Sequence, residues 1–250
     1  MTGRMSETTD PSRAERLKTA QSEMQAGRFE PAAARYLNQF DLAAQHLNAL
    51  KQAAPEYGRA FQEEGHLNKA KGEMGQALTA YALATRYNPA LTASWQAQAD
   101  LLRASGRAAE ADLALAQLHR MAALPRPLLA ATNHLFEGRV LRAEDIVRAF
   151  LQKNPHHIEG MRLLADIGSR LGVHEDADLL LETAIELAPD NVQLRIDHIQ
   201  VLRKRQKYAA ALAQAEALLK RDPASPVFQS LFAIESMQAG DYETALEAFD

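Results

Sequence analysis

Residues 158–191 read IEGMRLLADIGSRLGVHEDADLLLETAIELAPDN, and the fold of the whole chain turns on this stretch. Its small and apolar residues fall on two stripes. Met161, Leu164, Ala165 and Gly168 form the first, and Ala177, Leu181, Ala184 and Leu187 form the second. Both follow the i, i+3, i+4, i+7 spacing of a helix that buries one face. Gly172 separates the stripes and Pro189 closes the second. Glycine accepts the left-handed turn that ends a helix, and proline cannot continue one. The stretch is predicted to be two antiparallel amphipathic helices, A and B, in a unit of 34 residues.

Outward from this unit the pattern recurs. Small residues come in pairs twelve apart: Ala20/Ala32, Gly65/Ala77, Ala99/Ala111, Ala131/Ala143, Ala165/Ala177, Ile199/Ala211 and Ala233/Ala245. Two helices approach closely only where the side chains at their crossing are small. Ile199 departs from this and predicts a wider crossing. A larger residue follows four positions after the second member, as Tyr36, Tyr81, Leu115, Val147, Leu181 and Phe249, with Ala215 as the exception. Gly27, Gly72, Gly106, Gly138, Gly172 and Gly240 precede helix B, and Gln206 takes that place once, where it is less comfortable. The spacing of the helix B alanines sets the units. Residues 1–11 read as a disordered N-terminus, opened into a helix by a capping box of Ser12 and Glu15. Residues 12–57 read as a first, atypical unit whose second helix is lengthened over Pro31 to Ala53, or else is followed by a separate short helix from Asp41. Units then span 58–91, 92–123, 124–157, 158–191, 192–225 and 226–250, the last incomplete. The chain stops inside helix B, so more repeats or another domain are expected beyond Asp250.

This period and pattern resemble the tetratricopeptide repeat (TPR). The resemblance implies an all-α fold, a right-handed superhelical solenoid of antiparallel helix pairs, with the A helices lining an inner groove. The groove stripe would carry Arg59, Gln62, His66 and Lys69, then Gln96, Asp100 and Arg103, then Leu128, Thr132 and Leu135. It would continue through Glu159, Arg162, Asp166 and Ser169, then Gln193, Ile196, Gln200 and Arg203, and end on Val227, Ser230, Ile234 and Met237. Arg and Gln side chains there would hold the backbone and acidic groups of an extended peptide. The lysine–asparagine clamp with which one TPR subclass grips a C-terminal carboxylate is absent, since Gln62, His66 and Ala97 stand in its place.

Composition narrows the function. The net charge of −4 offers no field for nucleic acid or an anionic membrane. The chain has no cysteine, which excludes disulfides and thiolate chemistry. The N-terminus has no signal-peptide apolar run and no stretch is long enough to span a membrane, so a cytoplasmic location is expected. No phosphate loop, nucleophile elbow or metalloprotease motif occurs, and no catalytic residue, metal or cofactor is expected. His156 and His157 read as a loop pair at a helix start. His134 and His198 read as core histidines, and Trp95 as core. The run Arg203, Lys204, Arg205, Gln206, Lys207 reads as a solvated turn, and Glu175, Asp176 and Asp178 read as acids suited to a helix start.

The stretches MRLLADIGSRLGVHEDADLLLETAIELAPDN and LFAIESMQAGDYETALEAFD more narrowly resemble the N-terminal repeats of bacterial TPR–sulfotransferase fusions. That resemblance implies a catalytic domain beyond Asp250 that moves sulfate from PAPS. A loop resembling PRSGTT, which such a domain needs, is absent from these residues. Two expectations follow. The chain is a scaffold that binds a peptide or protein partner, or it is the substrate-recruiting arm of a larger sulfotransferase. Self-association through the incomplete last repeat is a further expectation.

Overall fold

The computed structural model describes residues 40–249. The expectations for Ser12, Glu15, Ala20, Gly27, Ala32 and Tyr36 lie outside the described residues, as does the choice between one long helix and two before Ala53. All regular structure among the described residues is α-helical, in two compact units, Met1–Arg120 and Met121–Asp250.

In the first unit, α1 (Phe40–Ala53) packs on α2 (Gly58–Ala70), followed by α3 (Met74–Tyr87), α4 (Thr92–Ala104) and α5 (Ala108–Ala122). The second unit holds α6 (Arg126–Phe136), α7 (Val140–Leu151), α8 (Ile158–Arg170), α9 (His174–Leu187), α10 (Val192–Lys204), α11 (Tyr208–Arg221), α12 (Pro226–Ala239) and α13 (Tyr242–Phe249). Within each unit successive helices pack as the helix A and helix B pairs of a TPR-like array.

The turns explain the pairing. Each helix A ends in one left-handed residue, and the amide after it bonds back to a carbonyl five residues earlier. Val173 N–H donates to the Gly168 carbonyl at 2.8 Å, and Lys207 N–H donates to the Leu202 carbonyl at 2.9 Å. This closure satisfies carbonyls that the helix end would orphan. Glycine holds the left-handed place at φ of 77–88° in five turns, and Gln206 adopts φ of 58° in the sixth.

The core is a series of helix crossings. Leu128, Ala131, Leu135, Ala143, Val147, Leu164 and Ile167 join α6, α7 and α8. Met161, Ala165, Ala177, Leu181, Ala184, Leu194 and Val201 join α8, α9 and α10. Size at each crossing is complementary. A Cβ added to Gly65 would lie 2.6 Å from the buried ring of Tyr81, so the largest side chain faces the residue with none. Ile199 inverts this arrangement. It packs in one cluster with Ala215, and the alanine supplies the room on the opposite helix. Leu187, expected on the buried stripe, is instead exposed at the end of α9.

Candidate partner-binding face

On α2, Arg59 is half-buried and Lys69 is exposed, but Gln62 is buried. The His66 Nδ1 meets the Tyr81 hydroxyl at 2.7 Å, with the two rings edge to face. Burial, with Glu63 adding to it, pushes the Tyr81 hydroxyl up to about 12. These contacts tie His66 to its own helix pair. On α4 the Gln96 amide donates to Asp100 at 2.9 Å, and Arg103 donates to Asp112 at 3.3 Å.

In the second unit the stripe divides. Leu128 and Leu135, expected to look into the groove, are core residues clustered with Ala143 and Val147 of α7 and with Leu164 and Ile167 of α8. Packing between successive helices therefore consumes part of the stripe. Farther along, the seam becomes polar and half-exposed. Arg162 of α8 donates to Glu159 at 2.9 Å and across to Asp197 of α10 at 3.1 Å. Gln193 donates to the other Asp197 oxygen at 2.7 Å. Burial lowers the Arg162 pKa, but Glu159 and Asp197 outweigh it and hold the guanidinium above its ordinary value. Lys204 donates to Ser169 at 2.7 Å, Arg203 pairs with the buried Glu235, and Asp166 accepts from Arg170 at 3.1 Å. Gln200 remains exposed on α10, with Val227 and Met237 exposed on α12.

A second cluster lies between α9 and α10. The buried Asp178 carboxylate meets His198 Nε2 at 2.6 Å and accepts from Lys207 Nζ at 2.8 Å and from Arg205. Burial raises the Asp178 pKa, but the hydrogen bonds and charges of Lys207 and His198 outweigh it and hold the carboxyl below its usual range. The basic run is exposed at Lys204, Gln206 and Lys207, as a solvated turn would be, yet it is also pinned. Four of its five residues are anchored, and two of them anchor on Asp178. The available signal was His198, which stands where Leu164 and Phe232 stand in other units. A polar residue at an apolar register position needs a buried partner. Ligand atoms of Asp178, Glu182 and His198 lie within 4.8 Å of one another. Two cations already neutralise Asp178, so the group fits an ion-pair hub and not a metal. Among the other histidines, His157 caps α8 by accepting from the Gly160 amide at 3.1 Å, and His134 accepts from Arg139 at 2.8 Å. Trp95 is half-buried, and its indole donates to the Pro89 carbonyl at 2.9 Å.

No family model and no curated protein matches the chain. Solved structures do. One is YrrB, presented as a TPR protein with an unusual peptide-binding site, at 15% identity and a TM-score of 0.42, over 82% of this chain and 89% of that one. Another is pilF of Pseudomonas aeruginosa, at 14% and 0.41, over 78% and 89%. A third is the APC/C hetero-tetramer Cut9-Hcn1, at 14% and 0.43, where 86% of this chain spans 43% of that chain's length.

Proposed function

We propose that this chain is a protein–protein interaction scaffold that holds a peptide or protein partner along the A-helix face of its repeats. The observation that carries the reading is the network of Arg162, Asp197 and Gln193. It brings polar side chains from two successive repeats onto one half-exposed surface, where a single extended partner can meet both. Gln200 stands exposed beside it on α10. Amide and guanidinium groups in such a row suit the backbone and acidic side chains of an extended segment. Lys69, Gln96, Asp100 and Arg103 would serve the same role on the first unit.

A photo-crosslinking residue at Gln200, with a control at the exposed Ala213 on helix B, tests this in cells. Adducts from position 200 that vanish with Arg162→Ala support the reading. Equal adduct yields at both positions overturn it. The resemblance of residues 159–250 to sulfotransferase fusions supports an alternative, in which the repeats recruit a substrate for a sulfate-transferring domain. Sulfate transfer from PAPS by the full-length protein decides between the two.

A further inference from the structure

A recess of about 290 Å³ opens between α7, α8 and α9, apart from the stripe assigned above. Its floor is Gly168. Leu102 and Leu202 occupy the same register place in their own units, and both are buried in the core. A Cβ on Gly168 would make ordinary contact with the Val173 carbonyl oxygen at 3.4 Å and the Ala177 Cβ at 3.8 Å, and without a longer side chain there the recess beside it is left unfilled by the chain. Leu164, Leu171, Val173, Leu179 and Leu180 wall it, and three of these face solvent: Leu171 at 39% exposure, Val173 at 44% and Leu179 at 64%. Exposed aliphatic groups around an open slot are a cost in water unless a partner covers them.

The charges at the mouth say what kind of partner fits. Helix α9 reads HEDADLLLETAIEL, with five acids and no lysine or arginine. Asp178 is satisfied internally, as described above. Asp176, Leu179, Thr183 and Glu186 fall on one face at i, i+3, i+7 and i+10, so Asp176 lines the recess and Glu186 stands on the same face one turn beyond Thr183. The only arginine on the recess, Arg148, is already paired with Glu144 at 2.8 Å. The α9 side of the mouth therefore carries acid and no lysine or arginine.

We infer that this recess docks a basic amphipathic segment of a partner protein, which inserts one leucine-sized side chain over Gly168 and sets lysine or arginine against Asp176 and Glu186. The site stands independently of the A-helix face. Its acidic rim disfavours nucleic acid and anionic lipid, and the apolar slot distinguishes it from a purely electrostatic surface.

The test uses a fluorescein-labelled amphipathic peptide of leucine, alanine and lysine, and its counterpart with glutamate for lysine, read by anisotropy. The lysine peptide is expected to bind at least about tenfold more tightly than the glutamate peptide. Gly168→Leu, which changes no charge, is expected to abolish binding, and Ala213→Ser, on an exposed helix B position outside the recess, to leave it unchanged. Leu179→Gln alters only an exposed side chain, adds no charge, and keeps the test valid if Gly168→Leu fails to fold. Binding that survives both Gly168→Leu and Leu179→Gln, or that is lost with Ala213→Ser, overturns the assignment. So does the absence of any binding by the lysine peptide.

Discussion

Gly65 and Ile199 occupy the same place in two different repeats and differ by a whole side chain, yet both are buried. Each is matched across its helix pair, Gly65 by Tyr81 and Ile199 by Ala215. Because a packed interior resists both voids and overlap, each change should be costly alone. Gly65→Ala is expected to destabilise by about 1–3 kcal/mol, since the Tyr81 ring is enclosed and cannot move aside. Ile199→Ala should cost about 2–5 kcal/mol, and adding Ala215→Leu should recover part of that loss. Urea denaturation of the single and double variants measures both effects. Gln206 spends energy on a left-handed backbone that glycine adopts freely. Gln206→Gly is expected to raise stability by about 1 kcal/mol, seen as a higher melting temperature. The sequence displays Ile199 and Ala215 as two separate departures from the pattern. Their compensation is visible only once the helices are packed.

At the scale of elements, Asp178 binds α9 to α10 and to the turn after it through His198, Arg205 and Lys207. Asp178→Asn is expected to destabilise by about 2 kcal/mol at neutral pH, because the two cations lose their counter-charge and the buried amide meets donors only. The pH dependence has a definite sign. The folded-state pKa of Asp178 is depressed, so its contribution is present above the unfolded value of about 3.9 and is lost as pH falls through the folded value. Thermal melts of the native chain should therefore weaken below about pH 4, and the Asp178→Asn variant should weaken less over that interval. Helix boundaries, turn glycines and small crossing residues were all legible from periodicity, because each is a local demand of backbone geometry. The hub was not. Its members lie 20 to 29 residues from Asp178 in two successive repeats, and Asp178, Arg205 and Lys207 each read alone as an ordinary capping or surface charge, while His198 shows only that a buried partner is needed.

For the molecule as a whole, each helix pair is stabilised by its neighbours, so a local fault should spread only to adjacent pairs. Gly65→Ala is expected to speed amide hydrogen exchange through α2, α3 and α4 while α10 to α12 keep their protection. Equal loss of protection along the whole chain would show a single cooperative unit instead. The sequence by itself determined the all-α class, the 34-residue unit and the pairing of A with B helices, because period, glycine and alanine act through local geometry that neighbours in the chain enforce. Tertiary structure alone decided which stripe residues remain available. Packing between successive helices buried Leu128 and Leu135, joined Arg162 to Asp197, and left a recess beside Gly168. Those outcomes depend on the sizes and charges of side chains brought together from different units, and spacing along one helix does not contain that information.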